Sequence, residues 1–225
     1  AAGQYTLGGL GALYFALILQ MPWYVCLLAA MVCGAIWGAV PGIFKAYFNV
    51  NEVITSIMFN WIGLYLVNEL MYSTVSGMYD QKTTRTYKLS SAAPQSLIPD
   101  CGMSAVFKTS STTIAIFIAM AIAIIMYVVL NKTTFGYELK ACGFNKDAAK
   151  YAGINEKRNI VLSMTISGAL AGIGAGLYYL SGASAWNPQV STALPAIGFN
   201  GIPVALLALS NPIGVVFAAI FVAHI

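Results

Sequence analysis

The side chains in this sequence with the capacity for specific chemistry are few, and most sit inside long apolar runs. Asn60 and Trp61 lie near the middle of one such run, with Thr55 and Ser56 about a turn below. An amide beside an indole ring can hydrogen-bond and stack a base or a sugar, and polar groups at membrane depth are costly enough to mark a substrate path. The same amide can equally join two helices. Phe199 and Asn200, in a GFNG turn ahead of a short apolar segment, form a second pair of this kind. Glu69 falls at the end of its run, where a carboxylate meets the membrane interface, and Asn51 and Glu52 stand where a helix cap is expected. The sole His, His224, has no nucleophile or ligand set around it, so an intramembrane enzyme finds no support. Cys26, Cys33, Cys101 and Cys142 contain no CxxC pair, and neither a disulfide framework nor a metal site is expected.

The elements that must position these groups follow from composition. Of 225 residues, 59% are hydrophobic and 8% charged, against about a quarter charged in soluble domains. Ser111 to Leu130 carries no charge, and at about 1.5 Å per residue it crosses a hydrocarbon core of roughly 30 Å once as a helix. A first membrane element is expected at Tyr5 to Leu19, interrupted by Gly8, Gly9 and Gly11, and further ones at Pro22 to Phe44, at Val53 to Tyr72 and at Ile160 to Ser181, with a last one starting at Pro212. Ile202 to Leu209 is too short to span and reads as a half-helix, re-entrant or broken at Asn211 and Pro212. The fold class is therefore an all-α polytopic membrane protein in a single transmembrane domain, 1–225. The absence of an initiator Met and the stop inside an apolar run make both ends read as cut from a longer chain.

Lys132, Lys140, Lys146, Lys150, Lys157 and Arg158 account for six of the eleven basic residues. Basic residues are retained on the cytoplasmic side, so the loop 131–158 is placed inside and the polar stretch 73–110 outside, with a short strand expected at Thr83 to Leu89. The net charge of +4 thus belongs to a membrane loop, and nucleic acid is not an expected partner. Within the inner loop, Asn145 sits at an N-cap position, Asp147 in the first turn, and Gly153 at the left-handed position closing a helix over Lys146 to Tyr151. Such an element would display Ala148, Ala149 and Tyr151 to a groove on a partner, or lie on the lipid surface.

Two trios of small residues, Gly34, Gly38, Gly42 and Gly168, Gly172, Gly176, recur every fourth position. Each trio shares one helix face and lets another backbone approach closely, through static packing or as a face that slides during gating. Pro41 fits a kink. A shift of 190 residues superposes Gly8, Gly11, Leu17, Leu19, Pro22, Val25, Ala29 and Val32 on identical residues, a repeat of half-segment, break and span of the kind transporters use.

The run KTTFGYELKACGFNKDAAKYAGINEKRNIVLSMTISGALAGIGAG resembles the coupling-loop region of permeases from the branched-chain amino acid, ribose and nucleoside branch of ABC importers. GQYTLGG, VPGIFKAYFNVNEVITSIMFNWI and GFNGIPVALLALSNPIG resemble the same family in the expected order, and NEVITSIMFN points to the nucleoside subgroup. The family's usual Glu before Gly3 is Ala2 here, and its first and final spans are missing. The resemblance implies a type II importer-like helical bundle with half-helices in a bacterial cytoplasmic membrane. It also implies a coupling loop made by Gly136, Tyr137, Glu138, Lys140, Gly143, Asn145, Asp147, Ala148, Ala149, Tyr151 and Gly153. A cytoplasmic ABC ATPase, holding the ATP and magnesium, would grip that loop. A second permease subunit in a heterodimer, an extracytoplasmic substrate-binding protein, membrane lipid and a nucleoside or simple sugar complete the implied set. The chain has no GxxxxGK[ST] phosphate loop and no cofactor of its own is expected. The competing reading is a gradient-driven carrier or channel, which needs an intramembrane ion-coupling group; Glu69 is the one acidic candidate.

Overall fold

The computed structural model describes residues 2–74, 78–80, 85–99, 113–182, 184–187 and 194–224. Cys101, Lys82, Lys108 and the start of the expected span at Ser111 lie outside the described residues.

Ten helices and one hairpin are described. They are α1 (Ala2–Leu17), α2 (Trp23–Phe48), α3 (Glu52–Glu69) with a π-turn over Leu70–Thr74, β1 (Tyr79–Asp80), β2 (Arg85–Thr86), α4 (Leu89–Ala92) and a 3-10 turn at Pro94–Ser96. After these come α5 (Ala115–Lys132), α6 (Thr134–Phe144), α7 (Lys146–Tyr151), α8 (Glu156–Leu180), α9 (Ala196–Leu207) and α10 (Pro212–His224). Among the described residues four helices are long and apolar enough to cross a membrane, and a fifth span results if α9 and α10, bent by 119°, count as one. The chain is a multi-pass membrane protein. Its outward surface shows why: Ile36, Ile54, Ile125, Leu206 and Phe217 are all more than half exposed, an arrangement stable in lipid and not in water.

The core forms where α1 is enclosed by α2, α8 and α3. Leu13, Leu64, Val67 and Leu180 are fully buried there, beside Tyr5 and Tyr179. Gly8, Gly9 and Gly11 were expected to interrupt the first element, yet α1 runs through them unbroken. Each instead sits where a neighbour presses close: Gly9 against the Tyr179 ring and Gly11 against Cys33 and the Ala29 carbonyl. Packing against neighbours outweighs the roughly 1 kcal/mol that a helical glycine costs.

The two trios of glycines face each other across α2 and α8. A Cβ on Gly38 would stand 2.9 Å from Gly168 Cα, one on Gly34 the same distance from Gly172 Cα, and Gly42 lies over Val161 and Met164. Their four-residue spacing, close to one helical turn, therefore brings two backbones together along most of a span.

The repeat seen in the sequence is a repeat of structure. In both copies the first helix ends at an equivalent Leu, Leu17 and Leu207, and a residue in the left-handed region follows three positions on, Gln20 (φ 49°) and Ser210 (φ 58°). Pro22 caps α2 and Pro212 opens α10. The copies differ in their support. Gln95 Nε2 donates to the Gln20 carbonyl at 2.8 Å and Ser96 Oγ to the Met21 carbonyl at 2.6 Å, whereas Leu209 is 90% exposed.

The stretch 73–110 was expected to hold a strand at Thr83 to Leu89, of which residues 83 and 84 lie outside the described residues. Among the described residues the strand covers Arg85–Thr86 and stops short of Leu89, which opens α4 with its side chain in the core. Trp186 anchors this cap: its N–H donates to Thr86 Oγ1 at 3.0 Å, its carbonyl accepts the Thr86 N–H at 2.9 Å, and its indole Nε1 donates to Asn68 Oδ1 at 3.2 Å.

Candidate coupling and translocation surfaces

At the basic end, the turn from α5 into α6 depends on Gly136, where any Cβ would collide with the Val129 and Leu130 carbonyls. Thr133 caps α6, its Oγ1 accepting the Gly136 N–H at 3.2 Å, and Lys140 Nζ reaches Asn131 Oδ1 at 2.7 Å. Helix α6 is a second capped helix ahead of the one read from the sequence. Its residues lie in the loop 131–158 expected from the sequence, where the helix is hidden because its apolar positions are broken by Gly136 and Gly143.

Asn145 serves both helices. Its N–H closes α6 on the Ala141 carbonyl, and its Oδ1 accepts from Asp147 and Ala148 N–H at 3.0 and 3.1 Å. Helix α7 ends as its sequence predicts. Gly153, at φ 81°, donates to the Lys150 carbonyl, and Ile154 donates to the Ala149 carbonyl, the paired bonds of a Schellman closure. The exposed residues differ from expectation at one position: Ala148 and Tyr151 face out, but Ala149 is 3% exposed and packs inward, so it is not displayed. Phe144, at 91% exposed, joins Tyr137 and Tyr151 (94%) as the outward aromatic rings of the two helices.

These helices are tied to the bundle by Asn159, which is 2% exposed on α8. Its Nδ2 donates to Glu138 Oε2 at 3.2 Å and lies 3.7 Å from Cys142 Sγ. A cavity of about 350 Å³ beside it is lined by Cys142, Gly143, Asn159, Met164 and the ion-paired Lys45 and Glu52. That ion pair joins the end of α2 to the start of α3, and Lys157 lies 5.3 Å over the Tyr47 ring. Asn159 was missed in the sequence because an Asn one turn inside a helix, after Asn155 at the N-cap, looks like a second polar surface residue. Cys26, Cys33 and Cys142 are free thiols.

The residues suggested for a substrate path separate into three settings. Asn60 is 8% exposed and its Oδ1 accepts the Gly3 N–H at 2.9 Å, joining α3 to α1. Thr55 is buried with its Oγ1 donating to the Asn51 carbonyl at 3.0 Å, and Ser56 is half-buried. Asn51 caps α3, accepting the Val53 N–H at 2.9 Å. Trp61 faces away from Asn60, 40% exposed and stacked on Tyr65 with ring centroids 6.1 Å apart and planes at 25°. Phe199 and Asn200 lie within α9 and not in a turn, both exposed, next to Gly198. A Cβ on Gly198 would stand 2.7 Å from Ala2 Cα, so the first turns of α1 and α9 and the middle of α3 converge on one point.

The whole chain, residues 1–225, matches the family model described as branched-chain amino acid transport system / permease component. The chain belongs to this permease family. It is 37% identical to the nucleoside ABC transporter permease protein NupB of Lactococcus lactis subsp. cremoris, over 97% of this chain and 61% of that protein. It is 36% identical to the guanosine ABC transporter permease protein NupP of Bacillus subtilis, over 96% and 61%. The glucose ABC transporter permease protein TsgB13 of Haloferax volcanii is 28% identical over 99% and 59%. This permease-family chain thus spans about three fifths of the length of these relatives. No solved structure gives a significant match.

Proposed function

We propose that the chain is part of a membrane-spanning permease subunit of an ATP-driven importer that moves a nucleoside across a bacterial cytoplasmic membrane. The observation that carries this reading is the pair of capped helices α6 and α7, which present Tyr137, Phe144 and Tyr151 outward while Asn159 ties α6 to α8. A connection that only joins two spans needs a few residues. Two helices with built caps, aromatic exteriors and a buried link to a span suit a surface that receives force from a partner and passes it into the bundle.

In this reading the basic end faces the cytoplasm and docks an ABC ATPase, which supplies the ATP and magnesium chemistry. The hairpin end faces out toward a substrate-binding protein, and a second permease subunit completes the pathway. Chemistry of bond making is not asked of this chain; its residues bind, guide and move. The nucleoside comes from the names of the two relatives above 35% identity.

The test is uptake of labelled nucleoside by cells carrying the full-length permease with its partner subunits. Phe144→Asp and Tyr151→Asp change only outward side chains, unlike any change at buried Ala149. Loss of uptake in these variants and with an ATPase-dead partner, at unchanged membrane levels, is the expected result. Uptake that persists in both and follows an ion gradient would replace the importer with a gradient-driven carrier.

A further inference from the structure

A cavity of about 310 Å³ opens at the hairpin end of the fold, with β2 and the start of α4 on one side and the connection leaving α8 on the other. Arg85, Lys88, Ser90, Tyr179, Gly182 and Ser184 are among its lining residues. The two sides are clamped together. The Trp186 N–H donates to Thr86 Oγ1 at 3.0 Å and the Thr86 N–H donates to the Trp186 carbonyl at 2.9 Å. Leu89 and Tyr179, 4% and 5% exposed, root the two walls in the core, and Gly182 turns the chain at φ 73° against Leu97. Arg85 and Lys88 are thus carried to one cavity by elements that are already fixed. Both remain exposed, so a ligand reaches them without opening the fold.

Among the described residues neither cation is engaged in a hydrogen bond or an ion pair, and no carboxylate lines this cavity. Asp80, opposite Arg85 in the hairpin register, lines the neighbouring cavity that Arg85 and Lys88 also border. Two cations beside hydroxyls of Ser90 and Ser184 call for an anion, and position selects which one. Gly182 lies two residues beyond the end of α8, a helix long enough to span, so the cavity sits where phospholipid headgroups lie. A guanidinium takes two oxygens of one phosphate and an ammonium adds a point charge; basic pockets against spans hold anionic headgroups in this way. A zwitterionic headgroup would bring a third cation into a site with no carboxylate to receive it. Charge placement adds to the case. Six of the eleven basic residues gather at the opposite end of the spans, so Arg85 and Lys88 stand against the bias that keeps cations on that side.

We propose that this cavity is a phosphate-group site at the hairpin end of the permease, filled by the phosphodiester of an anionic lipid headgroup, with Arg85 and Lys88 on its oxygens. A lipid held there fastens the hairpin and the end of α8 to the membrane surface. The site does not depend on what the permease carries.

The experiment uses the full-length permease with its partner subunits in nanodiscs of phosphatidylcholine alone or with phosphatidylglycerol. Ser184→Cys places a thiol in the cavity, and a membrane-impermeant maleimide reads its exposure against the unaltered chain. Phosphatidylglycerol is expected to slow labelling about tenfold, and the protection is expected to vanish when Arg85→Gln and Lys88→Gln are added. Ser91→Cys, on the neighbouring cavity, is expected to label alike in both lipids; equal slowing there would reduce the effect to surface charge and overturn the site. Labelling of Ser184→Cys that is the same in both lipids, or protection that survives the two glutamine changes, overturns it as well. Inorganic phosphate added to phosphatidylcholine nanodiscs separates the sources, since protection equal to that by phosphatidylglycerol would overturn the lipid assignment. Protection that appears only with the extracytoplasmic binding protein, whatever the lipid, would give the cations to a carboxylate of that partner and overturn it too. Should Ser184→Cys fail to assemble, Ser90→Cys reads the same cavity from its other wall, with the same outcomes.

Discussion

The side-chain amide of Asn159 donates to the Glu138 carboxylate at 3.2 Å, so a part-buried hydrogen bond joins helix α6 to helix α8. Helix α8 is in turn the partner of α2 along the glycine seam. A displacement of α6 by a docked protein therefore reaches two spans through a single side chain and a close-packed interface. A hydrogen bond to a charged group contributes about 1.5–3 kcal/mol. Asn159→Leu should break the link while filling the same space. The expected outcome is uptake reduced several-fold or more, with ATP hydrolysis by the assembled complex persisting. That split between hydrolysis and uptake, measured in proteoliposomes, distinguishes lost coupling from a complex that fails to assemble, where both activities fall.

The glycine seam predicts a sharp contrast between neighbours on one helix. Gly168→Ala places a Cβ against the backbone of Gly34 and Gly38, and overpacking of this kind costs about 1–3 kcal/mol. Gly174→Ala, on the same helix, meets no atom within 4 Å and gains helix propensity of up to about 1 kcal/mol. Thermal unfolding in detergent should show a lowered midpoint for the first and an equal or raised midpoint for the second. Equal midpoints for the two would mean that α2 and α8 do not pack through their glycines.

Asn60 offers a test between a helix joint and a substrate contact. Its Oδ1 is the partner of the Gly3 N–H, and leaving that buried amide unpaired costs about 1–3 kcal/mol. Asn60→Asp keeps an acceptor at the same place, whereas Asn60→Leu removes it. The expected result is clear loss of thermal stability for the Leu variant and a smaller loss for Asp. A Leu variant with native stability but a raised KM for uptake would instead make Asn60 a substrate ligand.

Much of this architecture is legible in the sequence. The spans α2, α3, α5 and α8 followed from apolar length, because lipid imposes one simple rule on every crossing segment. The closure of α7 by Asn145 and Gly153 was equally legible, since caps are local and their chemistry is written in adjacent residues. The family resemblance carried over the full chain. What escaped were features set by distant partners. Gly8, Gly9 and Gly11 look like breaks until Gly172, Tyr179 and Cys33 are seen against them. Ala149 faces inward although its neighbours Ala148 and Tyr151 face out, which a six-residue helix cannot signal. Asn159 and Trp186 draw their roles from residues 21 and 118 positions away.

Trp186 supplies the last prediction. Its backbone pairs with Thr86, its indole with Asn68, and its ring meets Tyr179 edge-on at 5.9 Å, itself 6.1 Å from Tyr5. Hairpin, α3, α8 and α1 are thus held at one residue that is 4% exposed. Trp186→Phe keeps an aromatic ring and the backbone bonds but deletes the indole donor, at a cost of about 1 kcal/mol. Trp186→Ala removes the ring as well, and truncating a buried aromatic costs about 3–5 kcal/mol. Hydrogen exchange of the amides at 85–98 should rise slightly for Phe and strongly for Ala, while exchange in α6 and α7 at the other end stays unchanged. Uniform acceleration across the chain with the Phe variant would show that Trp186 supports global stability and not the local attachment of the cap.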